Sequence, residues 1–413
     1  DARAFDAQYA AARHALEAGR EKLPQGRALI LPTLNLSGNA TNTRTDSDAH
    51  NPSVSPSFIR DGRSYGLNLS FSQPLYRPQN SIQYDQAGYQ VRQAEAIFGQ
   101  AGQDLVVRVA QAYFDVLASQ DTLALVRAQK TAIAEQLAQA KRNFEVGTAT
   151  ITDTHEAQAR YDLSSAQEIS AQNDLDNKSR ALQQLTGKSY DRLAPLRADV
   201  KLTPPNPNSI QAWADLAEKQ GYPVQIQQAA TEIARLEARR NSAAHHPTLD
   251  FVASYGYTSQ TASQIAATGS NFTTGVFGVQ VAVPLYAGGS LNSREREAAA
   301  GYEKSKQDLE NARRSNALAS QQTYLGVISG IAQVGALEQA LVSSQSALES
   351  NKLGYEVGVR INIDVLNAQQ QLFSTRRDLA LARYNTITSH LRLKAAAGSL
   401  REEDLEEVNR ALA

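Results

Sequence analysis

Few residues of this chain have types and spacing that could carry out catalysis or hold a metal. The 413 residues include no cysteine, which excludes disulfides, thiolate metal ligands and cysteine nucleophiles. His245 and His246 are adjacent, and we expect them on a strand, where their rings would point to opposite faces. Residues 187–189 (Gly-Lys-Ser) end like a phosphate-binding loop, but Leu182 occupies a position where that motif requires glycine. The sequence therefore predicts a protein that is not an enzyme and has no cofactor or metal.

Charge and hydropathy exclude further classes of protein. The 41 basic and 42 acidic side chains give a formal net charge of -1, so no excess of basic residues is present to neutralise phosphates, and nucleic-acid binding is not expected. No eighteen consecutive residues are apolar, so we do not expect a membrane-spanning helix. A transmembrane barrel is compatible with the sequence, because its apolar residues alternate with polar ones.

The chain contains an internal repeat, at an offset of 211 residues in its helical part and of 215 and 210 residues in two segments farther upstream. Residues 144–147 (Phe-Glu-Val-Gly) recur as residues 355–358 (Tyr-Glu-Val-Gly), and Asp153 recurs as Asp364. The proline-rich stretch 203–208 between the two copies is typical of a linker. We therefore predict two tandem structural repeats, residues 1–208 and 209–413.

Each repeat is predicted to contain the same kinds of element. Apolar residues that step by three or four indicate helices with coiled-coil spacing, and period-two alternation indicates strands. In the first repeat a short helix is followed by strands over about 31–43 and 64–76, a long helix over 80–145 and a helix over 152–187. In the second repeat helices over 210–244 are followed by strands over about 247–258 and 272–286, a long helix over 290–356, a helix over 362–398 and a C-terminal segment.

The four predicted strands have an apolar face and a face of mostly small polar residues. Each is about ten residues, long enough to cross a bilayer when tilted. A four-stranded sheet has two open edges, and hydrocarbon cannot satisfy their hydrogen bonds. Eight strands from a dimer would fill their own interior with side chains, whereas twelve from a trimer would leave a passage. A soluble sandwich is the alternative from the strands alone, and a solvated coiled coil is the alternative for the helices.

The double repeat, the tip motifs at 146–153 and 357–366 and the strand-to-helix corners at 74–76 and 284–289 resemble the TolC family of bacterial outer-membrane exit ducts. The resemblance covers essentially the whole chain. It implies a mixed α/β membrane protein: a homotrimer whose 12-stranded transmembrane β-barrel, in contact with outer-membrane lipid, continues into a 12-helix α-barrel in the periplasm. Each protomer would contribute four strands and long coiled-coil helices.

The resemblance also implies function and partners. The trimer would be the exit duct of a tripartite export system, with a periplasmic adaptor (membrane fusion) protein and an inner-membrane transporter that is ABC-type or proton-driven. It would conduct proteins by type I secretion, small molecules such as drugs, or both. The alternative is a non-conducting periplasmic coiled-coil scaffold or adaptor, but such a protein has no need of a lipid-facing sheet.

A periplasmic gate is implied at the far end of the helices. Asp364 would form an acidic ring, and such rings favour cations. Asn367 would form the next ring, where the family's best-known member has an acid, so this ring is neutral here. Gly147 and Gly358 would form the tip turns. For Asp364 the alternative is simple capping of a helix N-terminus without a gating role.

A gate latch is implied between the two tips. Thr152 and Asp153 match its first partner, and Tyr355 and Arg360 match its second. The alternatives are that Asp153 only caps its helix and that Arg360 is a solvated loop charge. A single exposed pair contributes little to stability, but threefold repetition could favour a closed state.

Overall fold

A computed structural model of the chain describes residues 1–48, 57–190, 192–197, 200–261 and 268–412. Most of these residues are helical, and the four strands form one sheet. Residues 49–56 and 262–267, which lie between the strands of each predicted pair, are outside the described residues.

The two halves of the chain each contribute a strand hairpin followed by two long helices. The first half contains α1 (Ala2–Phe5), α2 (Ala7–Arg20), α3 (Lys22–Ala28), β1 (Thr33–Ser47), β2 (Phe58–Tyr76), α4 (Pro78–Glu145) and α5 (Ile151–Thr186). The second half contains α6 (Ile210–Gln220), α7 (Tyr222–Ser242), a 3-10 turn (Ala243–His245), β3 (Thr248–Gln260), β4 (Ser270–Ala282), α8 (Ser290–Glu356), α9 (Asn362–Ala396) and α10 (Glu402–Arg410). His245 therefore ends a 3-10 turn and does not lie on a strand as expected.

The described chain forms two compact units, and each draws residues from both halves of the sequence. Unit 1 comprises Asp1–Leu16, Glu95–Gln227 and Leu309–Ala413. Unit 2 comprises Glu17–Ala94 and Gln228–Asp308 and contains the sheet. The two compact units thus do not coincide with the two sequence repeats.

The sheet of unit 2 has the order β1-β2-β3-β4, and all neighbouring strands are antiparallel. Residues that pair across such a ladder point to the same face. Leu36 pairs with Leu69, which pairs with Tyr255, and Leu34 pairs with Phe71, so the apolar residues share one face. Most large side chains of this face are exposed, namely Leu34, Leu36, Tyr65, Leu67, Leu69, Tyr255, Tyr257, Phe277, Val279 and Val281.

The strand bounds differ from those predicted in two respects. β1 continues to Ser47 and β2 begins at Phe58, since an antiparallel ladder needs only backbone groups and extends through polar residues. β4 ends at Ala282, before Pro284, because proline has no N–H to donate to the ladder. The polar face also carries some apolar side chains, among them Phe272 and Val276, which pair with Thr258 and Ser254.

The core of unit 1 lies where the long helices pack against one another and against the shorter segments of the unit. Phe114 of α4 is 2% exposed and stacks on Tyr384 of α9 with ring centroids 5.6 Å apart. The Tyr384 hydroxyl donates to Asp121 Oδ2 over 2.6 Å, and burial together with this hydrogen bond raises the pKa of Tyr384. A second cluster forms where Trp213 of α6 packs with Val327 of α8 and the end of α9.

Among the described residues, one helix has the length and composition to cross a membrane. Within α8 an 18-residue window has a mean hydropathy of 1.4, and only 11% of that window is buried. Polar residues interrupt this window, so it contains no uninterrupted apolar run of eighteen residues.

Candidate functional site

The two helix tips of unit 1 have the same turn. α4 and α5 join at Gly147, which has φ 80°, and α8 and α9 join at Gly358, which has φ 79°. After Gly147 the backbone N–H of Thr148 returns to the carbonyl of Asn143 over 2.8 Å. After Gly358 the N–H of Val359 makes the equivalent bond to Gly354 over 2.9 Å. Glycine supplies the left-handed conformation that reverses the chain between the two helices.

Behind these turns, α4, α5 and α9 pack together. Ala140 of α4 and Ala157 of α5 are 1% and 0% exposed, and Leu366 of α9 packs against both helices. Ile133 and Leu137 extend this cluster along α4. We refer to the packing of residues 133–140, 154–161 and 362–369 as the tip seam. The small alanine side chains allow the helix backbones to approach closely.

The α4–α5 pair is also held by charges farther from the tip. Glu168 of α5 accepts hydrogen bonds from Lys130 and Arg127 of α4 over 2.9 and 3.0 Å. These bonds, that of Lys130 first, lower the pKa of Glu168. Glu168 therefore stays ionised at pH values below the usual pKa of a glutamate, and its hydrogen bonds keep α4 and α5 linked at mildly acidic pH.

The proposed gate-ring residues lie on successive turns of α9. Asp364 is in the first turn, and its Oδ2 lies 3.7 Å from Nη1 of Arg360. Asn367 is exposed, and its Oδ1 accepts a hydrogen bond from Nη2 of Arg160 on α5 over 3.0 Å. A cation thus lies beside the residue that is predicted to form the neutral ring. Sequence reasoning missed Arg160, because no repeat or motif includes it.

The proposed latch residues have local partners within the chain. Thr150 caps α5, and Asp153 completes the capping box by accepting from the Thr150 backbone N–H over 2.9 Å. Thr152 is exposed next to this cap. The Tyr355 hydroxyl accepts from Nδ2 of Asn143 on α4 over 3.3 Å, a second contact that sequence reasoning missed.

The structure therefore brings Arg360 to Asp364, and it brings Tyr355 to the end of α4. Among the contacts of the described residues, none joins Thr152 or Asp153 to Tyr355 or Arg360. The capping role considered for Asp153 is present, and a latch between the two tips stays a prediction.

Unit 2 provides the second functional surface, the sheet. Its apolar face is exposed along all four strands, and β1 and β4 are its edge strands. At the end where β2 passes into α4, Arg77 donates from Nε and Nη2 to the two oxygens of Asp250 over 2.7 and 2.5 Å. Asp250 is only 6% exposed, so this two-pronged contact fixes the corner between the helix and β3.

The described residues contain no group of three or more histidine, aspartate or glutamate side chains that could hold a metal ion. His245 instead lies 3.5 Å from Glu295, and His246 lies 3.5 Å from the Tyr76 hydroxyl. Neither contact forms a set of metal ligands.

Comparisons with known proteins agree with this arrangement. A family model described as outer membrane efflux protein matches residues 1–188 and 214–399. The chain is 35% identical over 407 residues to the alkaline protease secretion protein AprF of Pseudomonas aeruginosa, covering 98% of this chain and 84% of AprF. It is 34% identical over 397 residues to outer membrane protein TolC of Vibrio cholerae, covering 96% of this chain and 88% of that protein.

A solved structure has the same fold. The outer membrane protein VceC of Vibrio cholerae superposes with a TM-score of 0.79 at 20% identity, covering 96% of this chain and 94% of VceC. At this identity the likeness concerns the fold alone.

Proposed function

We infer the function of this chain from its family, because it belongs to the outer membrane efflux protein family. It is an outer-membrane efflux or secretion channel and not an enzyme, as the sequence resemblance predicted. We propose further that three copies assemble into one exit duct, with the sheets forming a closed 12-stranded barrel and the long helices forming a 12-helix periplasmic tube.

The observation that carries this proposal is the sheet. It has an exposed apolar face and two edge strands, whose unpaired backbone groups could not be left open in hydrocarbon. Pairing β4 of one copy with β1 of the next would satisfy both edges. Three copies give twelve strands, enough to leave an aqueous passage lined by the mainly small polar residues of the opposite face.

The helix tips are the proposed gate and the proposed site for partners. We propose that Asp364 and Asn367 form successive rings near the axis of the tube. The tips also expose apolar side chains, namely Val146, Val357, Val359 and Ile361. Exposed apolar residues in a polar surface mark interaction sites, and we propose that a periplasmic adaptor binds here and connects the duct to an inner-membrane transporter.

The proposed cargo is protein. AprF is named for the secretion of a protease, and its match covers 98% of this chain. Export of small molecules is the second candidate, favoured by the family's description as efflux proteins.

Paired substitutions on one strand test the barrel. Leu36 and Ser37 are neighbours on β1 with side chains on opposite faces. Leu36→Asp should prevent insertion into lipid vesicles, because a carboxylate would face hydrocarbon, whereas Ser37→Asp should still insert. The measurements are flotation with vesicles, oligomer mass in detergent and ion current in a planar bilayer. Insertion of both variants, or a wild-type protein that inserts as a trimer and never conducts, would contradict the duct.

A further inference from the structure

The tip seam buries polar atoms that have no protein partner. Asn362, the first residue of α9, is 1% exposed, and neither its Nδ2 nor its Oδ1 has a hydrogen-bond partner. The same holds for Oε1 of Gln369, which is 4% exposed, and for Oγ1 of Thr154 and Oε1 of Gln136. Of seven such buried side-chain atoms among the described residues, five belong to these four residues. The unpartnered atoms are therefore concentrated at the tips.

All four residues lie on the helix faces that form the seam. On α9, Asn362, Leu366 and Gln369 step by four and three and so share one face. On α5, Thr154 lies one turn before the fully buried Ala157. On α4, Gln136 lies three residues after Ile133 and four before Ala140, so it shares their face. Polar groups thus occupy positions where an apolar residue would complete the packing.

A second copy of the chain cannot supply the missing partners. Each of these atoms is already covered by residues of its own chain, so it is inaccessible to a neighbouring protomer. Near the tip, Arg160 bonds to Asn367 and Gln129 bonds to Gln370, which joins α9 to α5 and α4. The Arg160–Asn367 bond is exposed and exchanges with water at little cost, so it opposes separation of the helices only weakly, whereas Gln129 is 6% exposed.

Burial of an amide without a hydrogen bond destabilises the packed state, and hydration removes that penalty. The penalty at Asn362 exists only while its amide is buried, and Leu366, on the same face of α9, packs against α4 and α5. We propose that Asn362 is a conformational determinant of the duct: its unpartnered amide destabilises the closed tip seam and so favours separation of α9 from α4 and α5. This inference rests on the proposed function, in which the helix tips form the gate.

The chain offers a direct measurement of seam opening, because it contains no cysteine. A cysteine introduced at Ala157 is buried in the seam and reacts with a maleimide only when the seam opens. In this background Asn362→Leu should slow labelling about ten-fold, because an apolar side chain of similar size removes the penalty. A cysteine at Leu163, which is 53% exposed on α5, should label at the same rate with and without Asn362→Leu.

Two further variants keep the test decisive. Gln369→Leu should slow labelling in the same direction, and it replaces Asn362→Leu if that variant does not fold. Gln371→Leu alters an exposed amide two residues after Gln369 on α9 and should leave the labelling rate unchanged. In bilayers, Asn362→Leu should lower the fraction of time that the channel spends in its high-conductance state.

Unchanged labelling in both Asn362→Leu and Gln369→Leu would overturn the inference, including the case in which bound water satisfies the amides. A rise in melting temperature without slower labelling would also overturn it, because Asn362 would then affect stability alone. A wild-type protein that never conducts would refute the duct but not the labelling result, so the two failures are distinguishable.

Discussion

Arg160 of α5 donates from Nη2 to Oδ1 of Asn367 on α9 across 3.0 Å, although the two residues are 207 positions apart. The guanidinium therefore lies beside the position proposed for the second gate ring. The first ring position, Asp364, has its own cation in Arg360, 3.7 Å away. The net field at the tip is consequently less negative than the carboxylates alone would make it.

Asn367→Asp should increase cation selectivity only modestly, because Arg160 would pair with the new carboxylate. Arg160→Ala combined with Asn367→Asp should increase it further, since the added charge would be unpaired. The measurement is the reversal potential in a salt gradient across a planar bilayer, with Arg160→Ala alone as the control. Equal selectivity in the single Asp variant and the double variant would show that Arg160 does not act on the pore.

The latch predicts a separate change in conductance. Tyr355→Phe combined with Arg360→Ser should raise single-channel conductance, because the closed tips would lose their proposed links. Stability should change by less than about 1 kcal/mol, since the Arg360–Asp364 pair is largely exposed. Asn143→Ala is the matched control for the intrachain contact of Tyr355. Conductance equal to that of the wild type would argue against the latch.

Local sequence signals account for much of this fold. The three-and-four stepping of apolar residues identified the helices, because it is set by the pitch of a single helix. The shared segment at 144–147 and 355–358 indicated equivalent turns, and Gly147 and Gly358 have the same backbone conformation. Period-two alternation located the strands, and the family assignment is confirmed.

The rest depends on packing between distant segments. The Arg160–Asn367 and Asn143–Tyr355 contacts join residues more than 200 positions apart, and no periodic pattern encodes such pairs. Asn362 is polar but only 1% exposed, and no local pattern in the sequence marks it as buried. The polar ends of β1 and β2 extended beyond the predicted bounds, because backbone pairing needs no apolar alternation.

The tip glycines should be sensitive to substitution for a purely conformational reason. At both Gly147 and Gly358 an added Cβ would meet no atom within 4 Å, so Gly358→Ala introduces no clash. Its positive φ should nevertheless cost about 1–2 kcal/mol. Gly301→Ala within α8, where an added Cβ also has open space, should instead stabilise the protein by about 0.5–1 kcal/mol. Thermal denaturation in detergent compares the two variants with the wild type. A Gly358→Ala variant as stable as the wild type would contradict the requirement for a left-handed turn.

The corner between β2 and α4 should depend on Arg77. Arg77→Ala leaves the buried Asp250 carboxylate without its partner, which should destabilise the protein by about 3 kcal/mol. Arg77→Ala combined with Asp250→Asn should recover part of that loss, because the uncompensated charge is gone. The melting temperatures of the three proteins measure this coupling. Additive effects in the double variant would exclude a direct interaction.

His390 of α9 gives a pH dependence whose sign can be derived. Burial and then Lys394 lower the pKa of His390, against the smaller opposing effects of Glu407 and Asp404. Arg197, Lys201 and Arg410 line the same cavity of about 370 Å³.

The folded state therefore favours the neutral ring, so the contribution of His390 to stability is present above the unfolded pKa of about 6.5 and is lost as the pH falls below it. Wild-type protein should melt at a lower temperature at pH 5.5 than at pH 7.5. His390→Leu and His390→Gln differ in polarity, but both lack a titrating ring. Both should therefore show a smaller difference in melting temperature between pH 5.5 and pH 7.5 than the wild type. A difference as large as that of the wild type in both variants would assign the pH dependence to other groups.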